Sequence, residues 1–128
     1  MPMPAPDSTL RFRWLWWSIA ALGLALDIYL SLKPAGDGPG LLNDKLAHFL
    51  VYFMLTGWFC LLLPRRRLLV FVAAVLLGGA LEIAQSFTPQ RVMDPLDALA
   101  NAAGAFIALL IVRRLPVNLL AWLETKLP

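Results

Sequence analysis

The sequence predicts an all-α, multi-pass membrane protein with four transmembrane helices, and three observations lead to that class. Hydrophobic residues make up 60% of the 128 residues and charged residues only 15%, with a mean hydropathy of +0.73. A soluble core of this size could not bury so much apolar surface. The apolar residues form four runs of about 20 residues, the length that a helix needs to cross a hydrocarbon layer about 30 Å thick. The runs are divided by short stretches rich in Pro, Gly and charge, which stop helices or resist entry into lipid.

One transmembrane domain, 1–128, therefore accounts for the whole chain. Its predicted helices are about 14–32, 46–63, 68–87 and 96–112, separated by KPAGDGPG, PRRR and TPQRVMDP. Residues 1–10 are predicted to be a flexible leader. Residues 115–128 are predicted to be an interfacial tail with a short helix lying on the membrane surface.

The start of the first helix fits two interpretations. Arg11, Arg13 and the small residues of ALGLA resemble a signal peptide with a cleavage site. The apolar run is longer than a usual signal core, however, and Trp14, Trp16 and Trp17 suit an interfacial anchor. A transmembrane helix is the favoured interpretation.

Basic residues predict the orientation. Eight of the eleven Lys and Arg residues lie at one set of helix ends, namely Arg11, Arg13, Arg65, Arg66, Arg67, Arg113, Arg114 and Lys126. Because short basic loops stay in the cytoplasm, both termini are predicted to be cytoplasmic. The net charge of +3 then describes an inner face that meets anionic lipids, and not a nucleic-acid-binding surface.

Polar residues recur at helical spacing on three of the predicted helices. They are Asp44, Lys45, His48 and Tyr52 on the second, Glu82 and Gln85 on the third, and Asp94, Asp97, Asn101 and Gly104 on the fourth. A charged side chain inside the bilayer costs several kcal/mol, so such groups turn towards the protein interior. At about 1.5 Å per residue, His48, Glu82 and Asn101 fall in one layer just below the outer surface. This layer predicts a cavity open to the outside.

Simpler roles remain open for several of these residues. Asp94 before Pro95 has the pattern of an N-cap, and Asp97 then lies where an acid favours the helix dipole. Lys45 could extend to lipid headgroups. Asn101 could make an interhelical hydrogen bond worth on the order of 1 kcal/mol.

Glu82 is the strongest functional candidate, because it is expected to lie too deep to cap any helix and needs a partner such as His48, Lys45 or Arg91. His48 is expected within direct or single-water hydrogen-bond reach of Glu82, although a lone histidine could also simply pack. Asp27, in the first helix, could face the same cavity or reach for water.

The segments YLSLKP, DKLAHFLVYF and EIAQSFTPQRVMDPLDALANAAGA, in that order, resemble the VanZ-like family of small bacterial membrane proteins. The family's polar signature falls on Asp44, Lys45, His48, Tyr52, Glu82, Gln85, Arg91, Asp94, Asp97, Asn101 and Gly104. The resemblance implies a multi-pass protein of the bacterial plasma membrane. It also implies an effect on how the cell surface meets glycopeptide antibiotics such as teicoplanin, without supplying a reaction.

In one function class, the outward-facing site binds or modifies an envelope lipid or a lipid-linked cell-wall precursor. The ligand phosphate would meet Lys45 and Arg91, and the acids would suit a Mg²⁺ or Ca²⁺ ion that arrives with it. The hypothetical catalytic set is His48 as general base with Glu82 and Asp97. The expected ligand-binding set is Asp44, Lys45, Tyr52, Gln85, Arg91, Asp94 and Asn101. The layer shows no zinc-type motif and no nucleophilic serine or cysteine.

In the other class there is no chemistry. The polar layer would be a network that fixes helix register, and the protein would serve as a scaffold or accessory for another envelope enzyme.

Overall fold

The computed structural model describes residues 4, 9–34, 44–89 and 91–128, and these form five helices. They are α1 (Arg13–Leu32), α2 (Asp44–Leu62), α3 (Arg67–Gln85), α4 (Pro95–Val112) and α5 (Leu119–Glu124). The described residues contain no strand, and each of the first four helices is long and apolar enough to cross a membrane. The predicted fold class is confirmed. The predicted leader lies mostly outside the described residues.

Small residues let α2 and α4 form the centre of the bundle. A Cβ at Gly104 would overlap the carbonyl oxygen of Phe49 and lie 3.1 Å from the backbone nitrogen of Phe53. Ala105 and Ala108 on the same helix are almost fully buried. Because lipid supplies no hydrophobic drive between helices, this close approach gains stability from van der Waals contact.

The predicted short C-terminal helix is present as α5, and it packs against the bundle. Leu120 of α5 is 3% exposed and packs with Ala20 and Leu62. The short helix therefore covers the end of the bundle at which α1 begins and α2 ends.

A carboxylate fixes this docking. Glu124 accepts hydrogen bonds from the backbone nitrogens of Arg11 (2.6 Å) and Phe12 (2.8 Å) and from Trp16 Nε1 (2.6 Å). Phe12 is the N-cap residue of α1 and Arg11 precedes it, so Glu124 fixes the chain where it enters α1 and places a negative charge near the helix N-terminus. Trp14 stays 69% exposed, as expected of an anchor, whereas Trp16 and Trp17 pack into the bundle.

Candidate functional site

The opposite end of the bundle, where α1 and α3 end and α2 and α4 begin, is called the cavity end here. Lys45 joins α2 to the start of α4 there. Its Nζ lies 2.8 Å from Asp94 Oδ2 and 3.1 Å from Asp97 Oδ1. Asp94 Oδ1 also accepts the backbone N–H of Leu96 at 2.9 Å, with Pro95 as the first helical residue. Asp94 thus caps α4 and forms an ion pair with Lys45 at the same time.

These contacts shift the pKa of the Asp94 carboxyl. The hydrogen bond from Lys45 lowers the pKa of the Asp94 carboxyl below its usual value of 3.8, and the bond from the Leu96 backbone lowers it further. The group lies at the edge of the membrane-crossing segment. It is therefore a stable anion at neutral pH.

His48 bridges two polar residues of α4. Its Nδ1 lies 2.9 Å from Asn101 Oδ1, and its Nε2 lies 3.7 Å from Asp97 Oδ2. An oxygen beside Nδ1 favours the tautomer in which Nδ1–H donates, which leaves the lone pair on Nε2. Asn101 is only 2% exposed and is held against Gly78, where a Cβ would come within 3.1 Å of it.

Glu82 is 3% exposed and links α3 to the start of α4. Its Oε1 accepts the backbone N–H of Asp94 at 2.9 Å. The expectation that Glu82 is too deep to serve a helix end was wrong, because it serves the N-terminus of a neighbouring helix. Its Oε2 is buried and accepts no hydrogen bond from the described part of the chain.

His48 and Glu82 were expected to be joined by a direct or a single-water hydrogen bond. His48 instead makes its direct contacts with Asn101 and Asp97, and the water-mediated alternative stays a prediction. One potential ligand atom from each of His48, Glu82 and Asp97 nevertheless lies within 4.8 Å of the others. That separation leaves room for a water molecule or an ion between the three side chains.

A cavity of about 260 Å³ lies beside this network, between α1, α2 and α3. Its polar lining consists of Asp27, Ser31, Asp44, His48, Gln85 and Arg91. Ser31 of α1 also lines the cavity, although it was not among the residues predicted for the site. Arg91 donates from Nε to Lys33 O at 2.9 Å and from Nη2 to Leu30 O at 3.2 Å, so it binds the free carbonyls at the end of α1.

Asp27 is the residue that sequence reasoning undervalued. It is 8% exposed and faces Tyr52, which is 2% exposed. The two groups are close but not aligned, since Asp27 Oδ2 and the Tyr52 hydroxyl complete no hydrogen bond of good geometry with any described residue. A lone Asp in an apolar helix was a signal, but α1 has no polar stripe from which to infer its direction.

An apolar groove of about 270 Å³ adjoins the cavity along the contact between α1 and α2. Gly23, Leu26 and Val51 line both spaces. Met54 and Trp58 line the deeper part of the groove. Leu26 and Val51 are partly exposed on the outside of the bundle, so the groove borders the surface that would face lipid.

The predicted site residues thus fall into three groups. Lys45, His48, Glu82, Asp94, Asp97 and Asn101 form one connected network. Asp44, Gln85 and Arg91 line the cavity, with His48 at the boundary between cavity and network. Tyr52 lies deeper, packed near Gly78, and Gly104 contributes close packing alone.

Four apolar helices with a polar cavity between their ends define a multi-pass membrane protein. Residues 8–119 match the family model described as VanZ/LLP1, and the chain belongs to this family. It is similar to a fission yeast protein, "Uncharacterized protein C11E3.10" of Schizosaccharomyces pombe, with 40% identity over 93 residues. The match covers 69% of this chain and 56% of the relative, so the chain spans about half of that relative's length. No solved structure matches the chain.

Proposed function

We propose that this protein binds a small-headgroup phospholipid, with the headgroup in the polar cavity and an acyl chain in the adjoining groove. The observation that carries the proposal is that the two spaces adjoin and share Gly23, Leu26 and Val51 as lining residues. A phospholipid likewise has a polar headgroup joined to an apolar acyl chain. A purely structural polar layer would not require an apolar groove beside it.

The charges around the cavity suit a zwitterionic headgroup such as phosphoethanolamine. Arg91 supplies a positive charge for the phosphate, while Asp27 and Asp44 supply carboxylates for the amine. Asp27 is the best-defined acceptor, because its buried Oδ2 faces Tyr52 but completes no hydrogen bond of good geometry within the described residues.

The size of the cavity supports a small headgroup over a lipid-linked cell-wall precursor. At about 260 Å³ it is slightly smaller than the usual ligand pocket, for which the range is about 300–1,000 Å³. A phosphoethanolamine headgroup would occupy this space, whereas most of a disaccharide with an attached peptide would have to lie outside it. The similarity to a yeast protein also favours a ligand that bacterial and yeast membranes share.

The basic residues at the far end of the bundle support an orientation with the cavity end outside the plasma membrane. In a bacterial cell the bound lipid would then belong to the outer leaflet. Any effect on teicoplanin or another glycopeptide antibiotic would act through the lipids that this surface holds or presents.

Lipid retention in nanodiscs tests the proposal. Protein is reconstituted in an equal mixture of phosphatidylethanolamine and phosphatidylglycerol, extracted in mild detergent, and the retained lipid is measured by native mass spectrometry. We expect wild-type protein to retain phosphatidylethanolamine preferentially. Asp27→Asn should lower that preference about tenfold or more, because a hydrogen bond to a charged group contributes about 1.5–3 kcal/mol.

Arg91→Gln should reduce retention of both lipids, since both carry a phosphate. Arg113→Gln is the matched control, because Arg113 is exposed at the opposite end of the bundle and should leave retention unchanged. Equal retention of the two lipids by wild-type protein, or a preference that survives Asp27→Asn, would reject the proposal.

The pairing within the network supports a second candidate, a non-catalytic scaffold for another envelope enzyme. Lys45 satisfies both Asp94 and Asp97, as a register-fixing network requires. A scaffold would retain no lipid class above another in the nanodisc experiment. Glu82→Gln should then preserve fold and phenotype, since it keeps size and most hydrogen bonding.

A further inference from the structure

We infer that His48, Glu82 and Asp97 form a binding site for one divalent transition-metal ion of the Zn²⁺ or Mn²⁺ type. One ligand atom from each residue lies within 4.8 Å of the other two. The three residues come from α2, α3 and α4, so the site is assembled by the tertiary fold. It forms part of the network beside the headgroup cavity.

A buried oxygen of Glu82 that lacks a hydrogen-bond partner also indicates that a ligand binds here. The side chain is 3% exposed, one carboxylate oxygen binds the backbone N–H of Asp94, and the other has no partner among the described residues. A buried carboxylate oxygen without a partner is strongly unfavourable. A cation bound between Glu82 and Asp97 would satisfy it.

The surroundings of His48 orient a metal ligand. Asn101 Oδ1 lies 2.9 Å from Nδ1 and leaves Nε2 to face Asp97 Oδ2. Metal-binding histidines commonly donate the other ring N–H to an oxygen in this way, which fixes the ring and its tautomer. Lys45 similarly holds Asp97 through Oδ1, while Oδ2 faces His48.

The distances suit a small ion. Two ligand atoms bound to tetrahedral Zn²⁺ at about 2.0–2.1 Å lie roughly 3.3–3.4 Å apart. His48 Nε2 and Asp97 Oδ2 are already 3.7 Å apart. A carboxylate oxygen of Glu82 lies within 4.8 Å of a ligand atom from each of these two residues, so binding would draw its carboxylate inwards by up to about 1.5 Å.

The ligand types select the class of ion. Imidazole favours Zn²⁺ and other transition metals, whereas Mg²⁺ and Ca²⁺ prefer oxygen ligands alone. One histidine with two carboxylates therefore favours Zn²⁺ or Mn²⁺ over the Mg²⁺ or Ca²⁺ suggested by the acids in the sequence. Three protein ligands also leave a coordination position for a ligand oxygen.

This inference deepens the proposed function and rests on it for the identity of the external ligand, a phosphate oxygen of the lipid headgroup. His48 lines the cavity on one side and belongs to the ion cluster on the other. The ion would add positive charge where Asp27 and Asp44 otherwise make the cavity acidic.

Metal binding by the full-length protein in lipid-free detergent tests the ion site separately. After removal of metal with a chelator, protein is dialysed against Zn²⁺, Mn²⁺, Mg²⁺ or Ca²⁺, and bound metal is measured by elemental analysis. Free Mn²⁺ is followed by electron paramagnetic resonance. We expect one Zn²⁺ or Mn²⁺ per chain and at least tenfold weaker binding of Mg²⁺ and Ca²⁺.

Glu82→Gln and Asp97→Asn, which preserve side-chain size, should each weaken Zn²⁺ binding at least tenfold, since changes around a metal ligand already cost about 10–100-fold. Glu124→Gln is the matched control, because it removes a buried carboxylate at the far end of the bundle. Should a variant fold poorly, the readout becomes the rise in Tm that Zn²⁺ gives to wild-type protein but not to Glu82→Gln.

Stoichiometric binding that is unchanged in both variants, or tighter binding of Mg²⁺ than of Zn²⁺, would overturn the ion site. So would wild-type protein that binds none of the four ions but retains phosphatidylethanolamine, and this result would leave the proposed function standing. Wild-type protein that binds Zn²⁺ but retains no lipid selectively would overturn the lipid proposal alone.

Discussion

Gly104 decides how closely α2 and α4 approach. Because a Cβ there would overlap the carbonyl oxygen of Phe49, Gly104→Ala must push the two helices apart. Overpacking of this kind costs about 1–3 kcal/mol. We expect a lower Tm in detergent, together with weaker lipid retention, since the same contact holds His48 opposite Asn101.

Gly79→Ala is the matched control for this prediction. A Cβ at Gly79 meets no described atom within 4 Å, and alanine is favoured over glycine inside a helix by about 0.5–1 kcal/mol. The Tm should stay constant or rise. Equal Tm values for the two variants would show that α2 and α4 do not require the close approach at Gly104.

Single residues also show what the sequence could predict about the site. The spacing of Asp97 and Asn101 on one helix predicted the face that meets His48, because helical periodicity fixes which side chains share a face. The direction of Asp27 could not be predicted in this way, because it is the only acidic residue of its helix. Its burial depends on how α1 lies against α2, which is a tertiary property.

At the level of elements, Glu124 couples the last helix to the first. It accepts two backbone N–H groups at the start of α1, and Glu124→Gln would replace a charged acceptor by a neutral one. By analogy with the loss of an N-cap, we expect the free energy of unfolding to fall by about 0.5–2 kcal/mol. Thr125→Ala is the control, since Thr125 is exposed and its hydroxyl bonds only to its own turn.

The difference in unfolding free energy between wild type and Glu124→Gln should depend on pH, because the pKa of Glu124 is shifted in the folded protein. Burial alone would raise it, but the hydrogen bonds from Phe12, Trp16 and Arg11 together bring it below the usual 4.5. Because the pKa of Glu124 is lowered in the folded state, its carboxylate stabilises the fold above pH 4.5, and this stabilisation is lost as the pH falls below that value. Thermal unfolding followed by tryptophan fluorescence should therefore show the variant and wild type converging below pH 4.5. A constant difference down to pH 3 would argue against this role of the carboxylate.

The docking of α5 against the start of α1 could not be predicted from the sequence. The amphipathic tail predicted a short helix at the membrane surface, and the helix exists as α5. Its docking depends on hydrogen bonds between residues more than 100 positions apart, such as Glu124 and Trp16. Periodicity within one segment carries no information about such contacts, whereas the ends of the long helices followed from local Pro, Gly and charge.

At the scale of the whole molecule, the bundle has two chemically different ends. The end covered by α5 brings Arg11 and Glu124 together and carries most of the basic residues. The cavity end carries the buried amides and every buried acid of the described residues except Glu124, including Glu82 and Asn101. An even number of crossings places both chain termini on one side of the membrane. This polarity would present the lipid site to one leaflet only.

Cysteine labelling on intact cells tests which side that is. Cysteine introduced at Gly38 or Gln90, both outside the described residues, should react with a membrane-impermeant maleimide, because these positions join helices at the cavity end. Cysteine at Arg66, in the basic loop between α2 and α3, should react only after the membrane is opened. The native Cys60 is buried and is replaced by alanine in every variant to remove its background. Labelling of Arg66→Cys in intact cells, with protection at both other positions, would place the cavity in the cytoplasmic leaflet, while the lipid and ion sites would remain testable in purified protein.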